Sequence, residues 1–325
     1  MRAVTISSNG RISVEKRPDP EPDAGEALVR VHGAGLNRAD LLQRAGLYPP
    51  PPGVPADIPG LEFAGEVVGL GAGVTRLALG DRVCGITPGA AQAELVVIPE
   101  RQCARVPTDL DLTHAGGVPE AFITAYDALV TNAGFSSGEH VLVHAVGSGV
   151  GTAVVQLVKA LGGTVTGTAR TASKLQRAAA MGMDHGLLVD NDMDPQAVAQ
   201  EIVNTGGFVD VVIDLVGGDY VLADIAALAP QGRIVVVGTL AGGRIDLPLL
   251  ALMAKRGRIS GTVLRNRNAE DKELVIREFA RHVVPLFDEL KLRPVIEAVL
   301  PMSKAAKAYD LLASDTTFGK VILKP

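Results

Sequence analysis

"HAVGSGVG", residues 144–151, decides how this chain is to be read. The apolar run "HVLVHAV" (140–146) feeds into it, and "VGTAVVQLVKALG" leads out of it with helical periodicity and ends at Gly162. A buried strand, a glycine-rich turn and a helix start make an anion site. Free backbone N–H groups and the positive end of the helix dipole face the same point. The spacing departs from G-x-G-x-x-G: the glycines are Gly147, Gly149 and Gly151, Ser148 stands between them, and no two are three apart. Alone, the stretch fits either a phosphate cradle or a plain tight turn.

Its surroundings favour the cradle. "TVTGTA" (164–169), "VDVVIDLVG" (209–217) and "GRIVVVGT" (232–239) read as strands. Residues 121–132, "SKLQRAAAMG" (173–182) and "YVLADIAALAP" (220–230) read as helices. Such alternation predicts an α/β fold with a parallel, doubly wound sheet. The turn then sits on the first strand of a βαβ run, and Ser148, Gly149, Val150 and Gly151 become candidate phosphate contacts. Ligands of such sheets bind at the carboxyl ends of the strands, which adds Gly238 and Thr239.

The second strand ends in "GTARTASKL", with Arg170 and then Ser173 and Lys174. An NAD-binding unit usually places Asp or Glu there to hold the ribose 2′-hydroxyl. A carboxylate would repel a 2′-phosphate, whereas Arg and Lys pair with it. The pattern predicts NADPH rather than NADH. The competing reading makes Arg170 and Lys174 ordinary solvated residues at a helix start.

Residues 1–118 have another texture. "ALVRVHGAGLN" (27–37), "EFAGEVVGLG" (62–71), "GDRVCGI" (80–86) and "AQAELVVIP" (91–99) are β-rich runs separated by glycine and proline, the pattern of a rolled β unit. From about residue 262 come a helix over 271–289, a strand-like "RPVIEAVLPM", a helix "SKAAKAYDLLAS" and a final strand "GKVILKP". This tail is too small to stand alone and is expected to pack on the β-rich unit. The predicted domains are 1–118 with 262–325, and 119–261. The linker falls near Pro119 and the return crossing near Gly257–Gly261.

A chain of 325 residues, 47% hydrophobic, is long enough for two cores. Its net charge of −5 and the absence of a basic block argue against a nucleic-acid partner. Cys84 and Cys103 are too few for a disulfide framework and form no C-x-x-C, so both read as reduced thiols. The strand-like N-terminus lacks an apolar signal core. The longest membrane-helix candidate, 234–253, is broken by Arg244 and Asp246. The expectation is a soluble, cytoplasmic protein.

In "GAGLNRADLLQRAGLYPPPP", "IPGLEFAGEVVGLG", "GDRVCGI", "VPEAFITAYDAL", "VLVHAVGSGVGTAVVQLVKALG" and "FGKVILKP", the chain resembles the zinc-free quinone oxidoreductases. These form the zeta-crystallin branch of the medium-chain dehydrogenase/reductase superfamily. The likeness runs in family order over essentially the whole chain. It implies a GroES-like β-rich catalytic domain, a Rossmann domain and NADPH in the cleft between them. It also implies a homodimer or dimer-based tetramer, often joined through edge strands of the Rossmann sheets.

Zinc-dependent members hold a catalytic metal with a thiolate and an imidazole; those positions read here as Asn37 and Leu61. Glu62 remains, but one carboxylate is not a zinc site, so no metal is expected. An electron-poor quinone can accept hydride, or electrons in sequence, from nicotinamide without a Lewis acid. The protein then contributes orientation and exclusion of water. Asn37, as a hydrogen-bond donor to a carbonyl, and Tyr48, as a stacking or proton-donating group, are the catalytic candidates. Thr124, Leu264 and Lys320 follow by family position at the cofactor. The plainer alternatives are a satisfied amide for Asn37 and, for Tyr48, a loop aromatic packed on Pro49–Pro52.

One departure concerns "HGLLVDNDMD" (185–194). Where relatives often place a tyrosine near the 2′-phosphate, this chain has Val189, flanked by Asp190 and Asp192. That puts more weight on Arg170. Two further readings stay open: an NADPH-dependent enoyl or alkenal reductase, with Tyr48 the one visible proton donor, and a non-catalytic NADPH-binding protein.

Overall fold

His140–Val143, the strand that feeds the glycine turn, is buried along its whole length. The computed structural model around it describes residues 1–190 and 194–325; Asp192 lies outside these. In chain order the strands among the described residues are β1 (Arg2–Ile6), β2 (Ile12–Lys16), β3 (Glu26–Gly35), β4 (Glu62–Leu70), β5 (Arg82–Ile86), β6 (Leu95–Pro99), β7 (Cys103–Arg105), β8 (His140–Val143), β9 (Thr164–Ala169), β10 (His185–Leu188), β11 (Val209–Asp214), β12 (Leu228–Val236), β13 (Arg258–Gly261), β14 (Ile296–Pro301) and β15 (Lys320–Lys324). They fall into two units, Met1–Ile123 with Leu264–Pro325, and Thr124–Val263.

In the second unit the strand order is β10-β9-β8-β11-β12-β13, and every pairing is parallel. Helices cover such a sheet on both faces, so its central strands are apolar throughout rather than alternating. That is why "HVLV" and "VDVVID" are readable as strands. The order reverses between β8 and β11, the topological switch point where Rossmann sheets bind dinucleotides. The helix Gly149–Ala160 starts there and buries Gly151 through Val158. Leu142, Val212, Ile202, Ile225 and Ile234 lie in the adjoining core.

In the first unit β14-β15-β3-β4-β5-β7 form one sheet, with β6 also on β3. The pairings are antiparallel except β14 with β15. This is the GroES-like fold, and the C-terminal tail completes it. β15 pairs with β3 through Ile322 opposite Gly35, and Tyr309, fully buried, donates a hydrogen bond to Gln92 at 3.0 Å.

The structure departs from the sequence reading in several places. The helix expected over 271–289 is two, Ala269–His282 and Val284–Asp288, because Pro285 cannot donate into a continuing helix. The helix at 121–132 is an α-helix, Pro119–Tyr126, followed by a wider π-helical turn, Asp127–Asn132. The stretch 257–261, read as the return crossing, contains β13, the edge strand of the parallel sheet. β10 and the helices Pro195–Gly206 and Leu249–Lys255 had no sequence counterpart. Among the described residues no helix is long and apolar enough to cross a membrane.

Candidate functional site

The glycine turn is held by its own backbone. Ser148 is the N-cap of the helix that follows, and its Oγ accepts the Gly151 N–H at 3.0 Å. This satisfies one of the orphan amides of a helix start and leaves the hydroxyl hydrogen free to donate. A Cβ on Gly151 would stand 2.6 Å from the Ala145 carbonyl oxygen and 2.8 Å from Val146 Cα. Gly151 is therefore fixed by the close approach of the turn's own backbone at Ala145 and Val146. The first turn carries no acidic residue, and Ser148, Gly149 and Val150 are partly exposed.

Beneath the turn lies a buried pair that sequence reading did not single out. His144 Nε2 lies 2.7 Å from Asp224 Oδ1, and its Nδ1 lies 2.9 Å from Thr168 Oγ1. Tyr220 packs edge-on against the imidazole at 4.9 Å. Burial pushes the Asp224 carboxyl up to about 6. Burial pulls His144 down, but the charge and hydrogen bond of Asp224 outweigh it and the imidazole titrates above its ordinary value. The pair ties the end of β8 to β9 and to the helix Tyr220–Ala227.

Arg170 follows β9 directly and is exposed. Ser173 is exposed and Lys174 partly so, both in the first turn of the helix Ala172–Ala179. Tyr220 belongs to the same surroundings: burial raises its phenol, and the Arg170 charge counters that. Val189 is 4% exposed and packs into the core of the unit, while Asp190 is exposed. Gly238 and Thr239 follow β12, and the Gly238 N–H donates to the Asp214 carbonyl at 3.3 Å. Thr124 is buried in the helix Pro119–Tyr126.

The first unit holds a second polar cluster, centred on Glu62 at the start of β4. Its Oε1 lies 2.6 Å from Lys320 Nζ and accepts from Asn37 Nδ2 at 3.0 Å; its Oε2 accepts the Glu120 backbone N–H at 2.9 Å. A Cβ at Gly35 would sit 2.3 Å from Glu62 Oε1, so the glycine makes room for the carboxylate. Lys320 also donates to the Leu36 carbonyl at 2.7 Å and to Asn37 Oδ1 at 2.6 Å. Its three protons are thereby committed.

These contacts settle the surroundings of the sequence candidates. The half-buried Asn37 amide both donates, to Glu62, and accepts, from Lys320, within the protein. Lys320 and Leu264, expected at the cofactor, are 4% and 5% exposed within this unit. Tyr48 is half-buried, with the Arg265 guanidinium 4.8 Å from its ring centroid.

Around the cluster stand groups that the sequence did not single out. Asp40 accepts the backbone N–H groups of Asn37 (2.8 Å) and Gly60 (3.2 Å), and burial lifts it to about 6. Arg265 donates to the Pro88 carbonyl, the Tyr48 carbonyl and Gln43 Oε1, all neutral oxygens. Among the described residues no group of three or more His, Cys, Asp or Glu side chains is arranged to hold a metal. "PEA" at 119–121 and "LR" at 264–265 carry these groups in sequence, but only the fold joins them.

Comparison with known proteins agrees with this architecture. Residues 23–108 match the alcohol dehydrogenase GroES-like domain and residues 149–281 the zinc-binding dehydrogenase domain. The rat synaptic vesicle membrane protein VAT-1 homolog is 32% identical over all of this chain and 84% of its own length. The quinone oxidoreductase of Lama guanicoe is 29% identical over 99% of this chain and 97% of its own. A mycobacterial protein solved in complex with NADPH superposes with a TM-score of 0.88 at 26% identity, over the full length of both chains. The chain belongs to the medium-chain dehydrogenase/reductase superfamily, and its similarity to quinone oxidoreductases is consistent with the zinc-free branch.

Proposed function

We propose that the protein is an NADPH-dependent quinone reductase. The observation that carries this reading is the capped glycine turn at the switch point of the parallel sheet, with Arg170 rather than a carboxylate after the second strand. The residues fit the dinucleotide. Ser148 keeps an O–H to donate, Gly149 and Val150 offer amides of the first helical turn, and Gly151 keeps that turn tight. Arg170, Ser173 and Lys174 would hold the 2′-phosphate. Gly238 and Thr239, at the carboxyl end of β12, belong to the same binding edge, and Thr124, Leu264 and Lys320 follow by family position. Bound there, the dihydronicotinamide supplies two electrons and a hydrogen to an electron-poor acceptor.

Tyr48 and the polar cluster around Asn37 are the acceptor-side groups, with Asn37 acting through its place between Glu62 and Lys320. The guanaco relative is a quinone oxidoreductase, and the mycobacterial one was solved with NADPH, which supports the acceptor and the cofactor alike.

We also propose a homodimer formed through the parallel sheets. Among the described residues no strand pairs with the outer edge of β13, and Leu247, Leu249, Leu250, Met253 and Val263 expose apolar side chains in the segment around it. Fluorescence titration with NADPH and NADH, followed by oxidation assays with quinones and with enals, tests the functional reading. Tight NADPH binding with faster reduction of quinones supports it. Reduction of enals alone would replace it with an alkenal reductase.

A further inference from the structure

We propose that Lys320 is a resident cation. Its ammonium fills the seat between residue 37 and Glu62 that belongs to a metal in zinc-dependent members of the superfamily, and it keeps divalent metals out. The inference concerns the first unit alone and does not depend on which acceptor is reduced.

In zinc-dependent members the metal is held by side chains at the positions of Asn37 and Leu61. Neither residue fits that task here: Leu61 has no donor atom, and an amide stands in for the thiolate. The oxygens at this place are nonetheless gathered around a positive charge. Lys320 Nζ lies 2.6 Å from Glu62 Oε1, 2.6 Å from Asn37 Oδ1 and 2.7 Å from the Leu36 carbonyl oxygen. One ammonium thus meets three oxygens with its three N–H groups. The Asn37 amide is turned to match, its oxygen toward the ammonium and its Nδ2 toward Glu62 at 3.0 Å.

Burial explains why a cation is needed. Glu62 is fully buried and Lys320 is 4% exposed, and a carboxylate sealed from water is strongly unfavourable unless a positive partner comes with it. A metal or an ammonium can supply that charge, and the two compete for the same oxygens. The ammonium is tethered to β15, which pairs with β3 beside Leu36, so it is always at hand. A metal has to arrive at its free concentration. Without the ammonium, the Glu62 carboxylate, Asn37 Oδ1 and the Leu36 carbonyl form a set of hard oxygen donors, which suits Mn²⁺.

Lys320→Ala, alone and combined with Glu62→Gln, tests this against the parent by thermal unfolding and by electron paramagnetic resonance of Mn²⁺. K320A leaves the carboxylate uncompensated, so its Tm is expected to fall below that of the parent. Millimolar Mn²⁺ should raise it again in a concentration-dependent way, with about one bound ion per chain. The parent and the double variant should show neither the rise nor the bound ion. Should K320A not fold alone, recovery on refolding in Mn²⁺ supports the inference, and failure to recover overturns it. A folded K320A that takes up no Mn²⁺ would overturn it too. So would a parent that binds Mn²⁺ or Zn²⁺ in a manner abolished by Glu62→Gln.

Discussion

His144 Nε2 and Asp224 Oδ1 lie 2.7 Å apart, and both side chains are sealed from solvent. His144 is also the first residue of the glycine turn, so this contact joins the buried core of the Rossmann unit to the turn proposed to hold the phosphates. Removing one partner of such a pair leaves a buried polar group uncompensated, at a cost of about 3–5 kcal/mol. Asp224→Ala is therefore expected to lower stability by that order in urea titration and to weaken NADPH binding. A loss below about 1 kcal/mol with unchanged affinity would contradict the anchoring role.

The turn itself gives a sharper case. Gly151→Ala places a methyl carbon 2.6 Å from a backbone oxygen that cannot swing away. Dinucleotide affinity is expected to fall at least tenfold, equivalent to about 1.4 kcal/mol, as measured by calorimetry. Ser148→Ala removes only the cap, worth about 1 kcal/mol of helix stability, together with one hydroxyl donor. Its effect on affinity should be the smaller of the two.

Both of these residues stood in the sequence, but the reasons for them did not. "HVLV", "VDVVID" and the amphipathic stretch between them were legible because a parallel sheet covered on both faces needs uninterrupted apolar strands. β10 and β13 escaped notice because each is a four-residue edge strand with half-exposed side chains. The helix Leu249–Lys255 buries no residue, so it has no periodicity to detect. The parts of the proposed dinucleotide site could be read from sequence because they are local: a turn, and one charged residue about 20 positions later. The polar clusters could not. Asp224 is 80 residues from His144, Glu120 is 58 from Glu62, and Arg265 is 222 from Gln43, and no local pattern joins them.

Arg170 is expected to discriminate between the cofactors. Arg170→Ala should weaken NADPH binding by the worth of a charge-assisted hydrogen bond, about 1.5–3 kcal/mol, or roughly 10- to 150-fold. NADH, which has no 2′-phosphate, should bind the variant as it binds the parent. Equal effects on the two cofactors, or none, would remove Arg170 from the 2′ pocket.

Glu120 makes stability depend on pH with a definite sign. Its carboxyl is raised in the folded protein to about 8 from an ordinary value of 4.5, so the native state holds the proton more tightly. The resulting stabilisation is present in full below 4.5 and is lost as pH rises through 8. The Tm is therefore expected to fall between pH 5 and pH 8, and to fall less in Glu120→Gln. Asp40, which titrates at about 6, contributes to both curves and leaves the difference to Glu120. Parallel curves for the two proteins would show that Glu120 is ionised in the native state.

The most direct test of the central claim is the rate at which the purified protein oxidises NADPH in the presence of a quinone. The account predicts saturable turnover that yields the hydroquinone, needs no added metal and is slower with NADH. Binding of NADPH without any acceleration of its oxidation by quinones would contradict it.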